Sequence, residues 1–231
     1  KLRTEMRNCD VVAVIGEKRL YMHKDLLSAR IPFFRALFNS EMTECLSGEI
    51  NISEFDTATI ESLLDYSYTG RLKIYESNVQ SLMMGAIYLQ IESVVDECAR
   101  FLRRRLNIDN VIPMLHFCRS VKYEKIDDFI LRFFDKNFVP ISATVDFLEL
   151  SVEDIESILK RDSLYVDNEE QVLSAALRWV DSGNEREQYA LRLLQCVRCT
   201  RLSESIIDRT IEKTTWAMEN SDCLALLDKS K

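Results

Sequence analysis

The fold is indicated first by the stretch Asp10-Val11-Val12-Ala13-Val14-Ile15-Gly16-Glu17-Lys18-Arg19-Leu20-Tyr21-Met22-His23. Both ends of this stretch are rich in β-branched and other apolar residues, and the short segment between them begins with Gly16. Two β-rich runs joined by a short segment that contains a glycine are typical of a hairpin. We therefore expect a pair of antiparallel strands here.

The segment that follows this hairpin changes to helical spacing. Pro32 stands where it can open a helix, because proline is well tolerated at the first helical position. Apolar residues recur three or four positions apart on both sides of it. These residues are Leu26, Leu27, Phe33, Phe34, Leu37 and Phe38. Two short helices are predicted.

Two further strand signals interrupt the helical pattern. Residues 49–52 alternate polar and apolar side chains, which predicts a third strand. Leu72-Lys73-Ile74 is interpreted as a short fourth strand. Between them, Asp56 is placed to cap a helix that continues as far as Gly70.

Beyond residue 74 the pattern is helical throughout. Five residues stand as candidate N-caps before periodic apolar segments: Asn78, Asp109, Ser151, Asn168 and Ser203. Ser151 is followed by Asp154 and Asn168 by Gln171, so each later side chain can reach back to the cap's own amide, as in a capping box. The chain is thus predicted to be α+β in residues 1–107 and wholly helical in residues 108–231.

Composition and charge exclude several classes of function. A net charge of -8 repels a phosphate backbone, so we expect no nucleic-acid partner. Only five glycines and three prolines leave little material for phosphate-binding loops. We find neither an apolar run of membrane-spanning length nor a basic, apolar leader, so no membrane association is expected. Seven scattered cysteines suit a reducing compartment, the cytoplasm or nucleus.

Candidate catalytic and metal-binding residues are few. Cys196 and Cys199 have the spacing of a zinc or redox motif, but no second pair supports them, and we interpret them as structural. His23 and His116 are the only histidines, and each is predicted to be a hydrogen-bonded structural residue. We therefore expect no enzymatic activity, no metal and no cofactor.

Two other conspicuous features have ordinary structural interpretations. Arg100, Arg103, Arg104 and Arg105 end a predicted helix, where cations complement the helix dipole. Trp179 lies at core spacing on another predicted helix, so it is interpreted as a packing residue.

The first half of the chain resembles the BTB/POZ domain of kelch-like proteins. The likeness runs through the whole half rather than through one motif. Its matching segments are Cys9-Asp10-Val11, His23-Lys24, Pro32-Phe33-Phe34-Arg35, Leu37-Phe38, Leu64-Asp65-Tyr66-Ser67-Tyr68-Thr69-Gly70 and Tyr88-Leu89-Gln90-Ile91.

The second half resembles the all-helical BACK domain of the same family. The matching segments occur in the family's usual order: Asp146-Phe147-Leu148-Glu149-Leu150, Asp162-Ser163-Leu164-Tyr165-Val166, Glu169-Glu170-Gln171-Val172, Leu177-Arg178-Trp179-Val180 and Leu194-Gln195-Cys196-Val197-Arg198. Helices at about residues 110–137 correspond to the family's 3-box.

The resemblance implies a non-catalytic substrate adaptor of a ubiquitin ligase. In this family the BTB domain forms a homodimer and binds the N-terminal domain of cullin-3, the BACK domain extends the arm, and a C-terminal kelch propeller captures the substrate protein. By this resemblance the propeller would follow Lys231. The exchanged N-terminal strand and most of the first helix would precede Lys1.

The family's cullin-binding signature is a hydrophobic residue, any residue, then glutamate, and Met42-Thr43-Glu44 matches it. A flexible methionine fills irregular pockets on a partner, and an exposed glutamate adds orientation. By the same resemblance Leu37, Phe38 and Tyr88 complete the cullin-binding surface, which the 3-box lengthens. A loop methionine and glutamate can also simply pack inward and be solvated.

The resemblance also implies a dimer interface. It places a buried aspartate of the first strand near a basic residue after the second, and Asp10 and Lys24 occupy these positions. Leu2 belongs to what is present of the family's first helix. An alternative hypothesis keeps the fold and the dimer but assigns a BTB scaffold for cytoskeletal or transcriptional partners, without a ligase role.

Overall fold

The computed structural model describes residues 8–40, 48–214 and 220–228, and most of these residues are helical. The chain divides into two compact units, Lys1–Arg105 and Leu106–Lys231. The first unit combines a small sheet with helices, and the described part of the second contains helices and no strand. The predicted α+β and all-α halves are thereby confirmed as fold classes.

The sheet of the first unit has the strand order β2-β1-β3. Its strands are β1 (Val11–Ile15), β2 (Lys18–Met22) and β3 (Glu49–Asn51). Ala13 pairs antiparallel with Leu20 and parallel with Ile50. Gly16 provides the left-handed conformation of the tight turn, with φ of 58°. The predicted hairpin and third strand are confirmed.

The predicted fourth strand is wrong. Residues 72–74 form no regular element and pair with no strand in the described chain. Their neighbours bond to a side chain instead, because Asn78 Oδ1 accepts from the Tyr75 amide at 2.7 Å and Asn78 Nδ2 donates to the Lys73 carbonyl at 3.1 Å. Alternating side chains suggested a strand, but a strand also needs a neighbouring backbone to pair with.

The helices of the first unit are α1 (Lys24–Arg30), α2 (Pro32–Phe38), α3 (Thr57–Thr69), α4 (Val79–Tyr88) and α5 (Glu92–Arg105). Asp56 Oδ1 accepts from the Thr59 amide at 2.8 Å, and Gly70 ends α3 with φ of 66°, both as predicted. Pro32 opens α2, also as predicted.

The second unit contains nine helices within its described residues: α6 (Val111–Ser120), α7 (Glu124–Lys136), α8 (Phe138–Ser142), α9 (Val145–Leu148), α10 (Val152–Leu159), α11 (Glu169–Asp181), α12 (Ala190–Leu194), α13 (Glu204–Lys213) and α14 (Ser221–Asp228). Short 3₁₀ helices span Asn184–Tyr189 and Cys199–Arg201. Phe134, Phe138 and Phe147 are fully buried at its core.

The two predicted capping boxes are confirmed in place but differ in their return bond. Ser151 Oγ and Asn168 Oδ1 accept from the amides three residues on, at 3.1 and 3.2 Å. However, Asp154 accepts from the Ser151 hydroxyl, and Gln171 Oε1 accepts from the Asp167 amide. A carboxylate or amide at this position reaches whichever donor lies nearest.

The other three predicted caps are less accurate. Asp109 is wrong, because α6 begins at Val111 and Asn110 is its N-cap. Asn78 and Ser203 hold the cap positions of α4 and α13, but neither side chain makes the capping hydrogen bond. Ser203 Oγ lies 3.0 Å from Ser205 Oγ instead.

No helix in the described ranges is long and apolar enough to cross a bilayer.

Candidate partner surface

A row of aromatic rings crosses the first unit between α2, α4 and the segment before α3. Its members in order of contact are Phe38, Phe34, Phe33, Tyr88 and Phe55, and we refer to them as the aromatic row. Successive ring centroids lie 5.8, 5.3, 5.0 and 5.2 Å apart. These are ordinary distances for favourable aromatic pairs.

The aromatic row combines one buried ring with four half-buried ones. Phe34 is fully buried and anchors α2 on the core. Phe33, Phe38, Phe55 and Tyr88 remain partly exposed, as does Leu37. A row of half-exposed rings over a fixed core is a preformed apolar surface, on which a partner can bury area without first ordering the side chains.

The end of α2 determines where the chain leaves this surface. The Ser40 hydroxyl donates to the Leu37 carbonyl at 2.6 Å, and the Ser40 amide donates to the same carbonyl at 3.1 Å. These bonds close the C-terminal turn of the helix. The chain therefore leaves α2 directly beside Leu37 and Phe38.

Tyr88 supplies a neutral hydroxyl within the aromatic row. Burial raises the pKa of the Tyr88 phenol, and the negative charge of Glu54 raises it further. The phenol is therefore protonated at neutral pH. It can donate a hydrogen bond to a partner while its ring packs against Phe33 and Phe55.

The structure brings together some of the predicted cullin-binding residues. Leu37 and Phe38 end α2, and Tyr88 joins the same surface through Phe33. Met42 and Glu44 lie outside the described residues. The sequence did not indicate a surface role for Phe55, which precedes the cap residue Asp56 and would be expected to pack on its own helix as a hydrophobic staple.

The predicted dimer residues Asp10 and Lys24 are in contact, but not as a side-chain ion pair. Asp10 is exposed in the single chain, and its Oδ1 accepts from the Lys24 backbone amide at 2.7 Å. The Lys24 ammonium lies over the Phe38 ring, 5.2 Å from its centroid. Leu2 lies outside the described residues, and the role of all three in a dimer stays a prediction.

The two histidines have different environments. His23 is hydrogen-bonded as predicted, because the Tyr68 hydroxyl accepts from its amide at 3.0 Å and lies 3.1 Å from its Nδ1. The prediction for His116 is wrong. That side chain is exposed on α6 and has no hydrogen bond with the described chain, because it occupies a solvent-facing position of an amphipathic helix.

The cysteines of the second unit are placed as packing residues. Burial raises the pKa of the Cys118 thiol to about 12, and it also raises the pKa of Cys196, Cys199 and Cys223. Cys196 donates to the Arg192 carbonyl at 3.2 Å. A raised pKa keeps these thiols protonated, which opposes both metal binding and nucleophilic attack. No three potential ligands come together for a metal within the described residues.

A cavity of about 750 Å³ opens in the second unit between residues 149–152 and 183–189. Trp179 forms one wall, and its Nε1 donates to the Leu150 carbonyl at 3.0 Å, which confirms the predicted packing role. The Arg186 guanidinium lies 4.3 Å from the indole, and its Nη1 donates to the Leu148 carbonyl at 2.6 Å. These contacts join the end of α11 to the segment before α10.

Comparison with known proteins assigns each half of the chain to a domain family. Residues 1–106 match the BTB/POZ domain, and residues 111–212 match BACK, described as BTB And C-terminal Kelch. Among solved structures, the chain is similar to the BTB domain of zebrafish PATZ1 at 24% identity. That match covers 45% of this chain and 83% of the other, with a TM-score of 0.40.

BTB domains mediate dimerisation and partner binding, and BTB and BACK domains are interaction modules that are generally non-catalytic. The matched ranges follow one another with only residues 107–110 between them. The chain therefore contains a BTB domain followed by a BACK domain, a tandem that is typical of kelch-like BTB–BACK adaptor proteins.

Proposed function

We propose that this chain is a non-catalytic adaptor that binds the N-terminal domain of cullin-3 and links it, within an E3 ubiquitin ligase, to a substrate-recognition domain. The observation that carries the proposal is the aromatic row, whose half-buried rings adjoin the point where the chain leaves α2 toward Met42-Thr43-Glu44. A preformed apolar surface beside a segment that carries a methionine and a glutamate has the composition of a helix-binding site.

Burial of ring edges supplies the affinity in this proposal. Aromatic side chains contribute large contact areas at low cost in conformational entropy, and they dominate many interfaces. Phe33 and Tyr88 are already packed on each other, so binding costs little ordering. Met42 fills a pocket on the partner helix, and Glu44 sets its orientation and excludes mismatched partners.

An adaptor of this kind performs no chemistry on its substrate. It raises the effective concentration of a captured protein near the ubiquitin-transfer machinery. Self-association through Asp10, Lys24 and Leu2 would double the number of substrate arms on each assembly. We place this work in the cytoplasm or nucleus, because the described cysteines are free thiols, which suit a reducing compartment.

A titration of the purified chain with the N-terminal domain of cullin-3 tests this proposal. We expect a saturable one-to-one complex per chain, and we expect its loss when Met42→Ala and Glu44→Ala are combined. Glu187→Ala is the matched control, because that side chain is exposed in the second unit and lies outside both the aromatic row and the helices at residues 110–137. Calorimetry gives the affinity, and circular dichroism shows whether each variant is folded.

The proposal is wrong if the unaltered chain fails to bind, or if the double substitution leaves the affinity unchanged. A chain that dimerises but does not bind cullin-3 would instead support the scaffold hypothesis, with cytoskeletal or transcriptional partners. Sedimentation velocity on the same samples separates this result from simple misfolding.

A further inference from the structure

Lys24 contacts both the predicted dimer interface and the aromatic row, which the sequence-based predictions treat as separate surfaces. Its amide donates to Asp10 Oδ1 at 2.7 Å, in the predicted dimer contact. Its ammonium lies 5.2 Å from the centroid of Phe38, in the aromatic row. Lys24 is the first residue of α1 and Phe38 is the last of α2, so one side chain connects the start of one helix with the end of the next.

Asp10 determines where the Lys24 backbone lies. His23 is the N-cap residue of α1, but its side chain does not cap the helix and contacts the Tyr68 hydroxyl instead. The Asp10 carboxylate therefore satisfies an amide that the helix itself leaves open, and a negative charge at this end also complements the helix dipole. The start of α1 is thereby fixed relative to β1.

The Phe38 ring is held from more than one direction. It stacks on Phe34 with 22° between the planes, and Phe34 is fully buried in the core. A cation over an aromatic face is attracted to it. Lys24 and Phe34 both contact the Phe38 ring, which nevertheless stays half-buried, so part of it remains for a partner to contact.

We propose that Lys24 is a positioning residue of the partner surface: its ammonium holds the Phe38 ring in the orientation that a bound cullin-3 helix contacts. This inference rests on the proposed function and adds to it. Asp10 places Lys24, and Lys24 places Phe38, so the predicted dimer contact and the partner surface share a side chain. Substitutions at Lys24 should therefore change partner affinity even in a chain that does not dimerise.

The test compares the affinity of Lys24 variants for the N-terminal domain of cullin-3. Lys24→Met keeps the length of the side chain and removes its charge, so we expect the Kd to rise about two- to fivefold. Lys24→Arg retains a cation that can stack on the ring, and it should restore the affinity. Rescue by arginine separates positioning of the ring from simple loss of packing.

A double-mutant cycle identifies the path of the effect. In a Phe38→Leu background no ring remains to position, so Lys24→Met should have no further effect on the Kd. Lys73→Met is the matched control, because it makes the same substitution at an exposed lysine of the first unit that is not part of the aromatic row. We expect it to leave the cullin-3 affinity unchanged, with the oligomeric state followed by sedimentation velocity.

The outcomes distinguish this inference from the proposed function. Absence of binding by the unaltered chain overturns both. Binding with additive effects of Lys24→Met and Phe38→Leu overturns the inference alone, and so does a Lys73→Met variant that reproduces the full loss seen with Lys24→Met. A non-additive cycle with rescue by arginine supports it.

Discussion

The ring of Phe33 on α2 lies 5.0 Å from the ring of Tyr88 at the end of α4, with an angle of 37° between the planes. This contact joins two helices that are distant in sequence, and it turns separate aromatic side chains into one surface. Phe55 contacts Tyr88 from the segment before α3. Tyr88 is thus the residue at which three elements of the first unit meet.

The position of Tyr88 leads to a prediction for partner binding. Tyr88→Ala should weaken cullin-3 binding by at least about 1.4 kcal/mol, a tenfold rise in Kd, because a central aromatic residue is removed. Tyr88→Phe keeps the ring contacts and should retain most of the affinity. Isothermal titration of both variants checks this, and equal loss in both would assign the effect to the hydroxyl rather than to the ring.

A buried ion pair leads to a prediction for the stability of the second unit. Asp135 is 4% exposed, and its two oxygens accept from Arg161 Nε and Nη2 at 2.7 Å each. Arg161→Ala leaves the carboxylate buried without its charge partner, so we expect a loss of about 3–5 kcal/mol in the free energy of unfolding. Urea denaturation measures it. Ser163→Ala removes only a hydroxyl donor to the same carboxylate and should cost about 1 kcal/mol.

The same pair predicts a pH dependence of stability. Burial raises the pKa of the Asp135 carboxyl, but hydrogen bonds from Arg161 and Ser163 outweigh burial and lower it below the usual value. A carboxyl whose pKa is lower in the folded state stabilises the fold above its unfolded pKa, and this contribution is lost as the pH falls through the folded value. The urea concentration at the midpoint of unfolding should therefore decrease when the pH is lowered below about 4.

Arg161→Ala provides the control for this pH effect. Without the guanidinium, burial dominates and the folded pKa of Asp135 rises above the unfolded value. The sign of its contribution then reverses, and acidification toward pH 4 should cost this variant less stability than the unaltered chain. If the stability of the two proteins changed with pH in the same way, the assignment of the pH effect to Asp135 would be contradicted.

Close packing of α3 on α4 predicts an effect at Gly85. A Cβ at this position would lie 2.8 Å from Leu63 Cδ1 and 3.0 Å from Thr59 Cγ2, and Leu63 is fully buried. Gly85→Ala should therefore destabilise the first unit by about 1–3 kcal/mol, less any gain in helix propensity. Gly183→Ala is the control, because the nearest atoms to its Cβ would be those of the Arg186 side chain at 3.4 Å, and its φ of -163° suits any residue. Thermal unfolding of both variants gives the comparison.

Local signals predicted most of the elements because each depends on few residues. The Gly16 turn, the Asp56 cap and the Gly70 terminus are decided by backbone conformation or by one side-chain bond within three residues. Errors arose where a competing partner was nearby. Residues 72–74 alternate like a strand, yet the bonds beside them go to the Asn78 side chain.

The candidate site could be predicted only in part. The resemblance selected Leu37, Phe38 and Tyr88, and the structure adds Phe33 and Phe55 as the residues that connect them. Phe55 carried no signal of a surface role, because its position before the cap Asp56 has a sufficient local explanation. The contact between Lys24 and Phe38 also had no local signal, since it depends on how α1 and α2 pack.

The sequence by itself determined the order of strands and helices, the change from a mixed unit to a helical one, and the family to which both belong. The elements follow from periodicity, caps and turns, which act over a few neighbouring residues, whereas the family follows from the resemblance of whole sequence segments. The tertiary structure decided which side chains meet: Phe33 with Tyr88, Lys24 with Phe38, and Asp135 with Arg161. Such contacts depend on the packing of whole elements, and local sequence patterns do not specify which side chains distant in sequence will touch.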